Sequence, residues 1–182
     1  MKTIRLASDL TFDSVVDGSG IRTVIWTQGC PHNCKECHNP GTHNIKGGYE
    51  VSIDEVLLKI LKADKNVTFS GGDPFVQPEA CSILAKSIKE KGYNIWAYSG
   101  WTFEQLIEKS KKDKFILDFL KNIDILVDGP FILEKKNLEL SFRGSSNQRI
   151  INVPLSLASN KIVLENYDSD NFVYTKQEGI FI

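Results

Sequence analysis

No long apolar run exists in this sequence. Nowhere in its 182 residues do the ~18 consecutive apolar side chains of a membrane-spanning helix occur, and the start MKTIRLASDLTFDS lacks the apolar centre of a signal peptide. A cytoplasmic protein with no membrane partner is therefore expected. Neither sign of charge is in excess: 22 Lys and Arg against 23 Asp and Glu leave a net charge of −1. The basic residues are scattered rather than gathered into a stripe, so no nucleic-acid groove is expected. Repeats and low-complexity tracts are missing. Cysteine is scarce, with four in all, but three of them fall within eight residues. An uneven three-plus-one set makes a poor disulfide framework, and in a reducing compartment clustered cysteines point to metal ligands or catalytic thiols.

What is present suffices for one core. At 182 residues, 41% hydrophobic and 25% charged, the chain is large enough for one well-buried domain and short for two, so a single domain over 1–182 is expected. IRTVIWT (21–27), VTFS (67–70), YNIWAYS (93–99), IDILVD (123–128) and QRIINV (148–153) are β-branched and aromatic runs that predict strands. Between them, Ile53, Val56, Leu57, Ile60 and Leu61 recur at helical spacing behind a capping-box pattern, Ser52-Ile-Asp-Glu55, predicting a helix over 52–63. A second helix is predicted from Pro78 to Lys91, stopped by Gly92, and a third region opens on the capping box Thr102-Phe-Glu-Gln105 and runs with interruption to Leu120. Strands alternating with helices predict an α/β fold with a mainly parallel sheet. A closed barrel of eight units takes about 250 residues, so this chain predicts an incomplete, open (β/α) barrel. Chemistry in such sheets gathers where strands end, and the cysteine loop, SGGDP, SGW and DGP all fall there.

The cysteine loop reads GCPHNCKECHNP (29–40), with Cys30, Cys34 and Cys37 spaced C-x3-C-x2-C. A cubane of four irons normally takes four thiolates. Three would leave one iron with an open position, which is how a metal binds a reactant rather than serving structure alone. The spacing also allows a zinc cage of Cys3His type, with His32, His38 or His43 as the fourth ligand. Cys81 lies beside Leu84, Ala85 and Ile88 at helical spacing and reads as a small core residue.

C-x3-C-x2-C after a strand resembles the cluster motif of the radical S-adenosylmethionine (SAM) enzymes. VDGSGIRTVIWTQGCPHNCKECHNPGTH, VTFSGGDPF, WAYSGWTFE, DILVDGPFI and LSFRGSSNQRIINV, in that order, resemble the family of activating proteins of anaerobic ribonucleoside-triphosphate reductases. The likeness runs from about Val16 to Val153. Glu36 stands where many members carry an aromatic residue, and Ser19 where a proline is common. The resemblance implies one [4Fe-4S] cluster on Cys30, Cys34 and Cys37, with SAM on the fourth iron through its amino and carboxylate groups. It implies reductive cleavage of SAM to a 5′-deoxyadenosyl radical that takes a hydrogen atom from a glycine of the partner reductase. It also implies a one-electron donor such as flavodoxin or ferredoxin.

The resemblance assigns Glu36, Cys37, His38 and Asn39 to the adenine side of SAM, and Ser70, Gly71, Gly72 and Asp73 to its methionine end. Gly71 and Gly72 would let the backbone approach the ligand, where a Cβ would obstruct it. Asp73 suits the cationic amine of SAM or the capping of a turn. Arg143 suits the SAM carboxylate, a surface position or the partner. Ser99, Asp128 and Asn147 are further candidates at strand ends. Beyond the core of about 16–153, a C-terminal extension over 161–182 has two apolar runs around Gln177-Glu-Gly179, a possible β-hairpin. Rival readings are a radical SAM enzyme acting on a small molecule, like the carboxy-deazaguanine synthases, and a zinc-binding adaptor.

Overall fold

The structure, a computed structural model, describes residues 2–168 and two short strands beyond them. Two strands precede the first predicted one: β1 (Thr3–Leu6) and β2 (Thr11–Ser14). β3 (Arg22–Thr27) follows, then β4 (Tyr49–Ser52), α1 (Ile53–Ala63), β5 (Asn66–Gly71), α2 (Pro78–Lys89) and β6 (Ile95–Tyr98). α3 (Phe103–Ser110), α4 (Lys114–Leu120), β7 (Ile125–Asp128), β8 (Arg149–Asn152) and α5 (Val153–Ser159) complete the main body. β9 (Tyr174–Thr175) and β10 (Ile180–Phe181) pair antiparallel in a sheet of their own. The other residues of 169–182 in the anticipated hairpin lie outside the described residues.

One open sheet runs β4-β1-β3-β5-β6-β7-β8, with β2 also against β3. Its centre, β3-β5-β6-β7, is parallel, in a register that places Ile25 beside Phe69, Thr68 beside Trp96 and Tyr98 beside Val127. The flanks are antiparallel, so the sheet is mixed and does not close: an incomplete (β/α) barrel. β8 departs from the repeating unit. Only a short 3₁₀ turn at Leu133–Lys135 lies between β7 and β8, and without a crossover helix the chain returns antiparallel, Val127 opposite Ile150. β1, β2 and β4 are four residues each and carry no sustained apolar run, which is why composition alone leaves them as loop.

Both faces of the central strands are covered, so their sequences run apolar instead of alternating. On the convex face Ile25, Val67, Phe69, Ile95, Ala97 and Leu126 pack beneath Val56 and Ile60 of α1, Cys81, Leu84 and Ile88 of α2, Leu106 of α3 and Phe119 of α4. Phe119 meets the rings of Phe69 and Phe75 at 5.1 and 4.8 Å. On the concave face Trp96, Ile125, Val127 and Ile150 gather with Tyr98, Phe142 and Tyr167. Strand parity thus divides one sequence into a helix-packed core and a concave lining. No helix among the described residues is long and apolar enough to cross a membrane.

Candidate functional site

The concave face opens into a cavity of about 600 Å³, within the size range of cofactor sites. β3 delivers the chain to its rim. Gly29 donates to the Thr42 carbonyl at 2.8 Å and Cys30 to the His43 carbonyl at 3.3 Å, so the cysteine loop leaves and returns at one place. Within the loop, Asn33 and Glu36 take left-handed backbone conformations, φ 47° and 58°, each directly before a cysteine. These bends turn the loop so that Cys30, Cys34 and Cys37 all line the cavity. All three are free and half-buried. Burial pushes the Cys30 thiol up to about 11 and raises that of Cys34, so both are neutral without a metal, and binding one releases their protons. Among the described residues no three His, Cys, Asp or Glu form a cage for a single ion.

His38, Asn39, Ser70, Gly71, Gly72, Asp73 and Arg143 line the same cavity. Glu36 does not; its side chain is exposed outside the wall. Gly71 and Gly72 reveal a reason for glycine that spacing does not disclose. A Cβ on Gly71 would stand 2.7 Å from the Thr27 backbone, and one on Gly72 would stand 2.3 Å from the Gly29 carbonyl oxygen. Gly71 is also at φ +97°, a conformation that side chains disfavour. These glycines let β5 run directly against the start of the cysteine loop, where Gly72 donates to Thr27 at 2.7 Å and Asp73 to Gly29 at 2.8 Å.

Asp73 is 1% exposed. One oxygen accepts the Phe75 N–H at 3.0 Å, which caps the turn Pro74–Val76; the other takes His32 Nε2, the Ser99 hydroxyl and the Gly100 N–H, each at 2.9 Å. Arg143 donates to the Gln148 carbonyl at 3.2 Å and pairs with Asp168. Its burial lowers the guanidinium from its ordinary value. Asp128, a candidate by position, faces away from the cavity: it accepts the Phe103 N–H at 2.7 Å and pairs with Arg149. Asn147 donates to the Pro130 carbonyl at 2.8 Å and does not line the cavity, whereas Ser99 does.

Several lining residues escaped the sequence reading. Trp26 and Tyr98 point inward by strand parity, and Asp17 belongs to the VDGSG turn ahead of β3. The Tyr98 hydroxyl and Arg143 Nε are buried without a hydrogen-bond partner among the described residues. Burial raises the Tyr98 hydroxyl above its ordinary value, keeping it a proton-bearing donor. Unpaired buried polar atoms are costly unless a ligand engages them. Three free thiols and an unpaired hydroxyl on the walls of one cavity therefore fit a cluster and a polar cofactor.

Comparison with known proteins points the same way. The profile of the 4Fe-4S single cluster domain matches residues 16–151. The chain is 37% identical over 121 residues to a pyruvate formate-lyase-activating enzyme of Clostridium pasteurianum, covering 60% of this chain and only 50% of that protein. It is 32% identical over 146 residues to an anaerobic ribonucleoside-triphosphate reductase-activating protein of Vibrio cholerae, covering 75% of this chain and 90% of the relative. A phage T4 protein of that name is 31% identical over 145 residues, with 74% and 86% covered.

Proposed function

The chain belongs to the 4Fe-4S single cluster domain family, and from that membership we propose that it is a radical SAM activase for an anaerobic ribonucleoside-triphosphate reductase. Residues 1–182 are read as one domain carrying one [4Fe-4S] cluster and SAM. The observation that supports this most is the shared wall: Cys30, Cys34 and Cys37 line the same open cavity as the turn Ser70–Asp73 and the unpaired Tyr98 hydroxyl. When bound, cluster and SAM would supply the chemistry, reductive cleavage of SAM coupled to removal of a hydrogen atom from a glycine of the reductase.

The protein's part is holding and shielding. The thiolates of Cys30, Cys34 and Cys37 would hold the cluster and leave it open to SAM. His38, Asn39 and the Gly71–Gly72 backbone would flank the ligand, the Tyr98 hydroxyl would donate to it, and Arg143 would offer its guanidinium to a carboxylate. Trp26, Phe131 and Phe142 give the cavity apolar walls that limit water. The electron comes from a one-electron donor of flavodoxin or ferredoxin type.

Anaerobic reconstitution followed by incubation with SAM, a reductant and the cognate reductase tests the reading. The wild-type chain should take up about four irons and yield a glycyl radical signal in electron paramagnetic resonance. Cys30→Ala, Cys34→Ala and Cys37→Ala should each abolish it, and Cys81→Ala should not. A single zinc and no iron would overturn the assignment. Iron uptake with SAM cleavage but no reductase radical would point instead to a small-molecule substrate.

A further inference from the structure

We propose that His32 is a positioning residue, clasped by Asp73, that fixes the cysteine loop to the end of the sheet; this rests on reading Cys30, Cys34 and Cys37 as cluster ligands. Among the described residues, the backbone of 31–36 makes no hydrogen bond to the sheet. The side chain of His32, midway between Cys30 and Cys34, makes that connection. Its Nε2 lies 2.9 Å from Asp73 Oδ2. Its ring stands edge-on to Trp101, centroids 4.5 Å apart. The slot exists because residue 100 is glycine: a Cβ there would lie 2.4 Å from the imidazole Cδ2. The ring is thus held by the end of β5 through Asp73 and by the segment after β6 through Gly100 and Trp101.

Asp73 is committed to this task. An ionised carboxylate has about four lone-pair sites. Here His32 Nε2, the Ser99 hydroxyl and the Gly100 N–H all converge on Oδ2, and the Phe75 N–H meets Oδ1. Oδ2 therefore has no capacity left for the amine of a cofactor, although Asp73 borders the cavity. The carboxylate instead joins β5, β6 and the cysteine loop at one buried point. Partners behind metal ligands set ligand orientation, and their loss typically lowers metal affinity by about 10–100-fold.

Two measurements on His32→Ala, His32→Gln, Asp73→Asn and the double variant His32→Ala/Asp73→Asn decide the matter. The first is anaerobic iodoacetamide labelling of metal-free protein with peptide mapping, in which the fully buried Cys81 reports global unfolding. The second is the rate of iron loss from reconstituted protein to a chelator. His32→Ala should speed Cys30 and Cys34 labelling and iron loss by about tenfold, with Cys81 still protected. His32→Gln, whose amide nitrogen reaches as far as Nε2, should restore both rates to near wild type. The double variant should be no worse than the worse single variant, because both changes open the same clasp. Rates for His32→Ala within about twofold of wild type, additive effects in the double variant, or no rescue by Gln would each overturn the proposal. If Cys81 became labelled in the Ala variant, His32→Gln and Asp73→Asn would still decide it. Failure of the wild-type chain to take up iron would sink the cluster reading, while the labelling result would still judge the clasp.

Discussion

Gly72 shows how one residue type can satisfy two demands. The resemblance assigns it to the approach of SAM, but its missing Cβ also admits the Gly29 carbonyl, and that neighbour is backbone that cannot swing aside. Forced overpacking of this kind costs about 1–3 kcal/mol, equivalent to a fall in melting temperature of about 3–10 °C in a chain of this size. Gly72→Ala should therefore lower the melting temperature of the metal-free protein by that amount, measured by circular dichroism. An unchanged melting temperature with weakened SAM binding would mean that the residue serves the ligand alone. His32 carries a similar lesson. Sequence spacing offered it as a zinc ligand, whereas its ring nitrogen is engaged by Asp73.

At the scale of elements, two similar cap patterns behave differently. Thr102 at α3 forms the full capping box with Gln105, its hydroxyl accepting from the Gln105 N–H at 3.3 Å and its own N–H donating to Gln105 Oε1 at 2.9 Å. Ser52 at α1 makes no side-chain cap. It is the last residue of β4, paired with Thr3, and Glu55 turns instead to Lys59 at 2.8 Å. Thr102→Ala should cost about 1 kcal/mol and Ser52→Ala close to nothing, as read from the denaturant midpoint. The first turn of α3 also has a pH signature. Arg149 on β8 bonds both Glu104 and the buried Asp128, and the hydrogen bonds from Arg149 hold the Glu104 carboxyl down to about 2. A lowered acid contributes stability that is complete above its ordinary value of 4.5 and fades as pH falls toward 2. The Glu104 side chain is 58% exposed, so solvent screens the pair and the effect is a fraction of 1 kcal/mol. The stability gap between wild type and Glu104→Gln should narrow as pH is lowered from 6 to 3; a constant gap would count against the pairing.

The whole molecule is defined by its open side. The sheet ends at β4 and β8 without closing, and apolar Val15, Val16 and Leu140 border the cavity. A radical formed there is quenched unless something covers it. Under the proposed function the reductase supplies that wall, presenting the glycine that gives up its hydrogen. SAM cleavage should then be slow in the free protein and accelerate when the reductase is added. Deuterium on the α-carbon of the target glycine should appear in 5′-deoxyadenosine. If the label remained on the reductase while the glycyl radical formed at a normal rate, direct abstraction would have to be abandoned.

Some of this was written locally. The β-branched runs of β3, β5, β6 and β7, the helical spacing of α1 and α2 and the Cys30, Cys34, Cys37 pattern identify themselves because each depends on neighbours a few residues away. Their order limits the fold to an open α/β sheet with the loop at a strand end. The short strands β1, β2 and β4 did not declare themselves, because short pieces become strands only when a partner already exists to accept their hydrogen bonds. The direction of β8 was settled by the want of a helix before it. The roles of Asp73, Gly72 and His32 required the assembled structure, since His32 and Asp73 lie 41 positions apart in the chain. A carboxylate in sequence is only acceptor capacity; which donors fill it depends on the strands that folding sets side by side.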